Sequence, residues 1–166
     1  MRLRALRSPV LCARYFMEDR MSTDPVTGIS HIGVCVSDTD RSIRFYTEAL
    51  GFKLSHSVDA GKPFHLLAEL PEMKLRATFL QRDGLTIELL DYKVPGIVGP
   101  AERRPMNQLG LTHLALFVDN VDTATARIEK NGGRVYPHTR VNTPAGDMIY
   151  CTDPDGIRLE LWNKPA

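Results

Sequence analysis

The fold is decided by a stretch that occurs twice in the chain, Asp83-Gly84-Leu85-Thr86-Ile87-Glu88-Leu89-Leu90 and Asp155-Gly156-Ile157-Arg158-Leu159-Glu160-Leu161-Trp162. Each copy combines an Asp-Gly pair, which is typical of a tight turn, with alternating apolar residues and one glutamate at the same offset. Alternation with a period of two indicates a strand whose aliphatic face meets a core and whose glutamate lies on the other face. The repeat therefore predicts two hairpins of the same construction.

A histidine begins another strand-like segment well before each hairpin. His31 lies 57 residues before Glu88, and His113 lies 47 residues before Glu160. In both halves a helical pattern follows the histidine and ends at a glycine 20 residues after it. This common register indicates a duplication. One such repeat is too short to bury both faces of its sheet, so we expect the two copies to pair.

The fold class expected from this pattern is α+β, with two paired β-α-β-β-β modules. The first module covers residues 29–92 and the second covers residues 110–164. Between them lies a linker over 93–109, rich in Gly and Pro and without periodicity. Residues 1–28 are expected to form a disordered extension.

Within the modules the strands are assigned from alternation and turn residues. In the first module we expect extended segments over residues 52–58, 64–70 and 75–80 before the Glu88 strand. In the second module we expect them over 135–136 and 147–152 before the Glu160 strand.

Composition limits the classes of function. The chain has 166 residues, 43% of them hydrophobic and 25% charged, which suits one globular domain. A formal net charge of +1 gives no attraction to nucleic acid. No apolar run approaches the roughly 20 residues of a spanning helix, so we expect no integral membrane protein.

The cysteines and the N-terminus bear on localisation. Cys12, Cys35 and Cys151 are an odd, scattered set, which favours free thiols in a reducing compartment and hence a cytoplasmic protein. Residues 1–20 contain five arginines and no acid before Glu18. This composition is also typical of an organellar transit peptide, and an upstream start before Met21 is a third interpretation.

The four repeated polar residues are candidate metal ligands. A lone histidine at the start of a strand is usually capped or exposed, and a lone glutamate between leucines is usually solvated. His31, Glu88, His113 and Glu160, however, repeat in register, and a set of two histidines and two carboxylates suits Zn²⁺, Ni²⁺, Co²⁺, Mn²⁺ or Fe²⁺. Two curled sheets joined face to face would direct all four inward, and the ion would act as a Lewis acid on a substrate oxygen.

The chain resembles the vicinal oxygen chelate superfamily, which includes glyoxalase I, bleomycin-resistance proteins and extradiol dioxygenases. The matching motifs are RSIRFYTEALGF (41–52), GLTHLALFVD (110–119), NGG (131–133) and DPDGIRLEL (153–161). The resemblance implies a cup-shaped mixed sheet of paired modules around a metal, often in a homodimer. The metal positions of the family correspond to His31, Glu88, His113 and Glu160.

Glyoxalase I is the nearest match by ligand set, since bacterial forms use His, Glu, His and Glu. The resemblance implies that Glu160, or less readily Glu88, moves a proton next to a metal-polarised carbonyl through an enolate. Where that enzyme contacts glutathione with Arg and Asn, this chain has Cys35 and Tyr92. The substrate is therefore left open among a thiol adduct, a thioester and another compound with vicinal oxygens.

Three alternatives stay open within the resemblance. Methylmalonyl-CoA epimerase uses the same chemistry with a further Glu on the strand before Glu88, where this chain offers Arg76, Thr78 and Leu80. Extradiol dioxygenases hold iron with a triad that His31, His113 and Glu160 match. Bleomycin-type resistance proteins bind a ligand without catalysis.

We expect aromatic and other large side chains near the four ligands to form the wall of the pocket. The candidates are Phe64, His65, Phe79, Tyr92, Met106, Phe117, Met148 and Trp162. The linker over 93–109 is a candidate for closing over the site.

Overall fold

The computed structural model describes residues 25–163, and its first half forms a four-stranded sheet. The elements are β1 (Ile32–Cys35), α1 (Thr39–Arg44), β2 (Lys53–Ala60), β3 (Lys74–Arg82) and β4 (Leu85–Val94). The sheet order is β1-β4-β3-β2, with β1 parallel to β4 and the other pairs antiparallel. This half has the predicted β-α-β-β-β order. Most of the N-terminal extension, residues 1–24, lies outside the described residues.

The first helical segment begins at a side-chain cap and ends before Gly51, the glycine at which the sequence pattern ends. The Asp38 side chain accepts a hydrogen bond from the Arg41 backbone N–H, which caps the N-terminus of α1. The helix continues into a π-helical turn over Phe45–Ala49. Gly51 follows with φ 73°, a left-handed conformation that glycine adopts without strain.

The second half has the same topology, except that two short strands take the place of one edge strand. Its elements are β5 (Leu114–Phe117), α2 (Val121–Lys130), β6 (Arg134–Val135), a 3-10 turn (Pro137–Thr139), β7 (Val141–Thr143), β8 (Gly146–Thr152) and β9 (Arg158–Asn163). The sheet order is β5-β9-β8-β6, and β7 also pairs with β8. The short strands β6 and β7 thus lie beside β8 as β2 lies beside β3. Strand β7 was not predicted, because its three residues are all exposed and carry no alternation.

One predicted strand is wrong. Residues 64–70 form hydrogen-bonded turns and not an extended segment. The backbone N–H of Ala68 donates to the Phe64 carbonyl at 3.1 Å, and that of Leu66 donates to the Pro63 carbonyl at 3.1 Å. Local bonds of this kind satisfy the backbone without a neighbouring strand, so the apolar residues of this segment gave a misleading signal.

The larger of two hydrophobic clusters joins the two halves through their helices and the aliphatic faces of both sheets, and a smaller one around Met73, Leu75 and Ala77 lies within the first half. Gly133, after α2, shows how close this packing is, since a Cβ there would come within 2.6 Å of the Thr152 carbonyl and 2.8 Å of the Phe45 ring. The large buried side chains of the core are Val36, Phe45, Tyr46, Leu80, Ile87, Leu89, Ile128, Leu159 and Leu161. The two sheets with few helices confirm the predicted fold class.

The helices of the described part of the chain are short, and none is long and apolar enough to span a membrane. Two of the three cysteines lie in this part. Cys35 is exposed, Cys151 is buried, and both are free thiols, as predicted.

Candidate metal centre

The register of the two parallel strand pairs brings each histidine beside its glutamate. In the first sheet Gly33 lies opposite Glu88, and in the second Ala115 lies opposite Glu160. Each glutamate is thus paired with the residue two positions after the histidine. Residues two apart on a strand lie on the same face, so each histidine is directed to the face that carries the glutamate.

The two pairs have the same geometry. The Nε2 atom of His31 lies 3.0 Å from Oε2 of Glu88, and that of His113 lies 3.0 Å from Oε2 of Glu160. Two ligands at a right angle on one ion, each with a bond of about 2.1 Å, would be about 3 Å apart. All four side chains are 17% to 38% exposed, so a metal ion can reach them. The donor chemistry therefore fits a divalent ion.

An aromatic residue supports each histidine. Phe79 lies opposite Glu88, and its ring meets that of His31 edge-on at 5.8 Å. Tyr150 lies opposite Glu160, and its ring meets that of His113 at 5.6 Å. Sequence reasoning included Phe79 but missed Tyr150, which the hairpin register opposite Glu160 could have identified.

The His113 ring is also held from its other side. The Thr112 hydroxyl shares a hydrogen bond of 3.0 Å with Nδ1 of His113. A partner on Nδ1 fixes the orientation of the ring and leaves Nε2 as the atom directed to a metal.

The four candidate ligands do not come together within one chain. Among residues 25–163, no group of three or more His, Cys, Asp or Glu side chains lies close enough to hold an ion. The reason is the core, which joins the halves on the faces opposite to the ligands. The ligand faces remain open, with Cys35 exposed on β1 and Phe117 65% exposed on β5.

The thiol and phenol groups near the pairs, those of Cys35, Tyr92 and Tyr150, are neutral at pH 7. Burial, with added repulsion from Asp155 and Asp91, raises the pKa of the Cys35 thiol. Burial likewise raises the pKa of Tyr92, with contributions from Cys35 and Glu88, and that of Tyr150, with a contribution from Glu160. These residues can therefore donate hydrogen bonds to a ligand but are not bases.

A buried carboxyl group connects the halves near the second pair. Asp153 accepts hydrogen bonds from the Tyr46 hydroxyl at 3.1 Å and from the backbone N–H groups of Asp155 and Ile157 at 2.9 Å and 2.8 Å. Burial raises the pKa of Asp153 to about 6, although these hydrogen bonds oppose the rise. The group is fully enclosed, so its role is structural.

The cavity beside Glu160 includes part of the predicted pocket wall. Its volume is about 650 Å³, and Met106, Met148 and Tyr150 contribute to its lining. In the first half His56 stacks on Phe79 at 4.6 Å, which makes it a wall residue there. Phe64, by contrast, is 55% exposed in the turn segment.

The linker lies against the second half. The Arg158 side chain donates a hydrogen bond to the Arg104 carbonyl at 2.6 Å, and the Arg103 guanidinium lies 3.7 Å above the Tyr136 ring. These contacts place the linker over the cavity beside Glu160.

Comparisons with known proteins agree with this fold. A model of the glyoxalase/bleomycin resistance protein/dioxygenase superfamily matches residues 28–161. A lactoylglutathione lyase from Salmonella typhimurium is 35% identical over 135 residues, covering 79% of this chain and 88% of that protein. A 2-epi-5-epi-valiolone epimerase from Actinomyces sp is 30% identical over 151 residues, covering 83% and 80%. Among solved structures, a glyoxalase family protein from Bacillus cereus matches with a TM-score of 0.77 at 17% identity, covering 88% of this chain and 99% of that one.

Proposed function

The chain belongs to the glyoxalase/bleomycin resistance protein/dioxygenase superfamily, and from this premise we propose that it is a divalent-metal-dependent enzyme that moves a proton next to a carbonyl group, as a glyoxalase I-like lyase or isomerase. The observation that carries the proposal is the repeated pair of His Nε2 and Glu Oε2 atoms, 3.0 Å apart in both halves. The lyase and epimerase names of two relatives support the class of reaction.

The proposed site is completed by two copies of the chain. His31 and Glu88 of one copy would hold the ion together with His113 and Glu160 of the partner subunit. Two findings support this: the pairs remain apart in one chain, and both ligand faces are open. A closed dimer is the commonest way for a protein to cover such self-complementary surfaces.

The bound ion would polarise the carbonyl oxygen of the substrate and so acidify the neighbouring C–H bond. Glu160 is the residue proposed to take the proton and return it, with Glu88 as the second candidate. Both carboxylates can be reached from solvent, with Phe79 beside Glu88 and with Met148 and Tyr150 beside Glu160. A carboxylate within reach of the substrate carbon can serve as the general base.

Epimerisation is the second candidate function, and the epimerase among the relatives favours it. The structure corrects one premise about this activity. The β3 residues closest to Glu88 on its face are Ala77 and Phe79. Arg76, Thr78 and Leu80 lie on the other face, where Thr78 and Leu80 are buried in the core. Neither residue beside Glu88 on β3 is a base, so an epimerase reaction would have to rely on the glutamates of the metal site.

Metal content and activity of the purified full chain test the proposal. The protein is prepared without chelator and analysed for metal, then treated with EDTA and reloaded with Ni²⁺, Co²⁺, Zn²⁺, Mn²⁺ or Fe²⁺. Hemithioacetal isomerisation, epimerisation of a thioester and catechol cleavage are assayed in parallel. About one ion per chain with rescue of isomerisation or epimerisation supports the proposal. Iron-specific ring cleavage, or the absence of both metal and activity, overturns it.

A further inference from the structure

An arginine pocket lies beside Glu160, and it is defined by Arg103, Arg104 and Arg158. All three line the cavity of about 650 Å³ together with Glu160. Arg158 precedes Glu160 by two residues on β9, so both lie on the open face of the second sheet, while Leu159 between them is buried in the core. The pocket is therefore continuous with the half-site formed by His113 and Glu160.

The side chains that line this pocket carry more positive than negative charge. In the part of the chain that the structure describes, none of the three guanidinium groups forms an ion pair with a carboxylate. The carboxylate that lines the cavity is Glu160, and it is paired with His113. A divalent ion at the proposed centre would add further positive charge.

Arg158 is the strongest indication of a bound anion in this pocket, because it is a charged residue that is only 8% exposed. Its guanidinium group donates a hydrogen bond to the Arg104 carbonyl, and a neutral donor such as glutamine could make that bond. Burying a charged group without a counter-charge is unfavourable. Arg41, by comparison, is paired with Asp155 at 2.6 Å. A ligand that supplies the missing negative charge would account for a cation at position 158.

Aromatic rings orient two of the guanidinium groups. Arg158 lies 5.2 Å from the Tyr150 ring centre, and Arg103 lies 3.7 Å from that of Tyr136. Stacking uses the flat face of a guanidinium group, whereas its N–H donors lie in the plane and remain available at the edge. This planar fork matches the two oxygens of a carboxylate or a phosphate.

We propose that the substrate carries an anionic group, a carboxylate or a phosphate, that binds in the arginine pocket while its carbonyl end lies at the metal centre. This inference rests on the proposed function for the position of the carbonyl end. Two residues along a strand span roughly 7 Å, so the anionic group would lie only a few bonds from the carbon that Glu160 deprotonates. The substrate class is thus a small anionic carbonyl compound, with Arg158 and Arg103 as its specificity-determining residues.

Anion binding is tested on the full chain after EDTA treatment, so that no metal contributes. Inorganic phosphate, malonate and the uncharged malonamide are titrated at constant ionic strength, by calorimetry and by the fluorescence of Trp162. This residue is the single tryptophan of the chain and lies opposite Met148, which lines the cavity. We expect saturable binding of malonate or phosphate, whichever matches the substrate, and no binding of malonamide.

The variants separate a specific pocket from general charge. Arg158→Gln and Arg103→Gln should each weaken anion binding by about tenfold or more, because each removes a charged hydrogen-bond donor. Arg44→Gln removes the same charge from an exposed position on α1 and should bind as the wild type does. Arg103→Gln, on the linker, keeps the test valid if the buried Arg158 is needed for folding.

Two outcomes overturn the inference. One is the absence of saturable binding of both anions to the wild type, and the other is an equal loss of binding in Arg44→Gln. Because no turnover is measured, a failure here leaves the proposed proton transfer standing. Conversely, an inactive protein that binds anions through Arg158 would contradict only the proposed function.

Discussion

The Asp155 carboxylate accepts two hydrogen bonds from Ser37, at 3.1 Å from the backbone N–H and at 2.5 Å from the hydroxyl, although 118 residues separate them in sequence. Arg41 contacts the same carboxylate at 2.6 Å. The hairpin turn of the second half is thereby fixed to the end of β1 in the first half. This contact helps to hold the halves in an arrangement that keeps the two ligand pairs apart, so the proposed four-ligand site would need a second copy of the chain.

Mixing two inactive variants tests the shared site. One variant carries His31→Ala and Glu88→Gln, and the other carries His113→Ala and Glu160→Gln. If each centre takes one pair from either copy, a mixed dimer contains one centre with all four native ligands. After subunit exchange about half of the dimers are mixed, so about a quarter of the wild-type activity should return. The measurement is activity before and after exchange.

The controls for this mixture are the two variants incubated alone, which should stay inactive. Formation of mixed dimers is checked by mass spectrometry with one variant isotopically labelled. Mixed dimers that form and remain inactive would show that the four ligands do not act across two copies.

Metal retention distinguishes ligands from other histidines. His113→Ala removes an imidazole whose Nε2 lies 3.0 Å from Glu160, and the affinity for the ion should fall by at least about tenfold. His138→Ala is the matched control, because His138 is exposed on the 3-10 turn and packs edge-on against Tyr136. Bound metal is measured after dialysis against a weak chelator. Full occupancy in His113→Ala would refute its assignment as a ligand.

Glu160→Gln separates proton transfer from binding. Glutamine keeps the shape and one oxygen of the side chain but cannot take a proton at neutral pH. We expect kcat to fall by about 10²- to 10⁴-fold, the usual contribution of a general base. Glu88→Gln should lower kcat less. Both variants are assayed at equal metal content, and their unfolding curves are measured to check that they are folded. Wild-type turnover in Glu160→Gln would exclude its role as the base.

Much of the fold followed from the sequence because alternation has a direct physical cause. The aliphatic residues on either side of Glu88 and Glu160 must meet a core, and this fixed which face each glutamate occupies. The structure adds that the register is the same in both halves, with Gly33 opposite Glu88 and Ala115 opposite Glu160. Both helices begin at a side-chain cap, since Asp38 and Asn120 accept backbone hydrogen bonds there.

The sequence did not show whether the two ligand pairs lie close together within one chain. Alternation assigns side chains to faces, but it does not decide whether two sheets join through their ligand faces or through their helices. The contacts that decide this, such as that between Ser37 and Asp155, join residues far apart in the chain. The burial of Arg158 was equally hidden, because it depends on a linker that has no periodic pattern.

The buried Asp153 predicts a specific pH dependence of stability. Its pKa is raised from 3.8 to about 6 in the folded state, chiefly by burial, so the folded protein binds this proton more tightly than the unfolded chain does. The extra stability that this proton gives is fully present below pH 3.8. It is lost as the pH rises through about 6, and the free energy of unfolding then falls by about 3 kcal/mol. Asp153→Asn keeps an oxygen for the backbone N–H donors but does not titrate. Denaturant unfolding of both proteins between pH 4 and pH 7 measures the effect, since the difference isolates this group from the other acids. The wild type should lose stability relative to the variant as the pH rises, and a constant difference would show that Asp153 is ionised throughout.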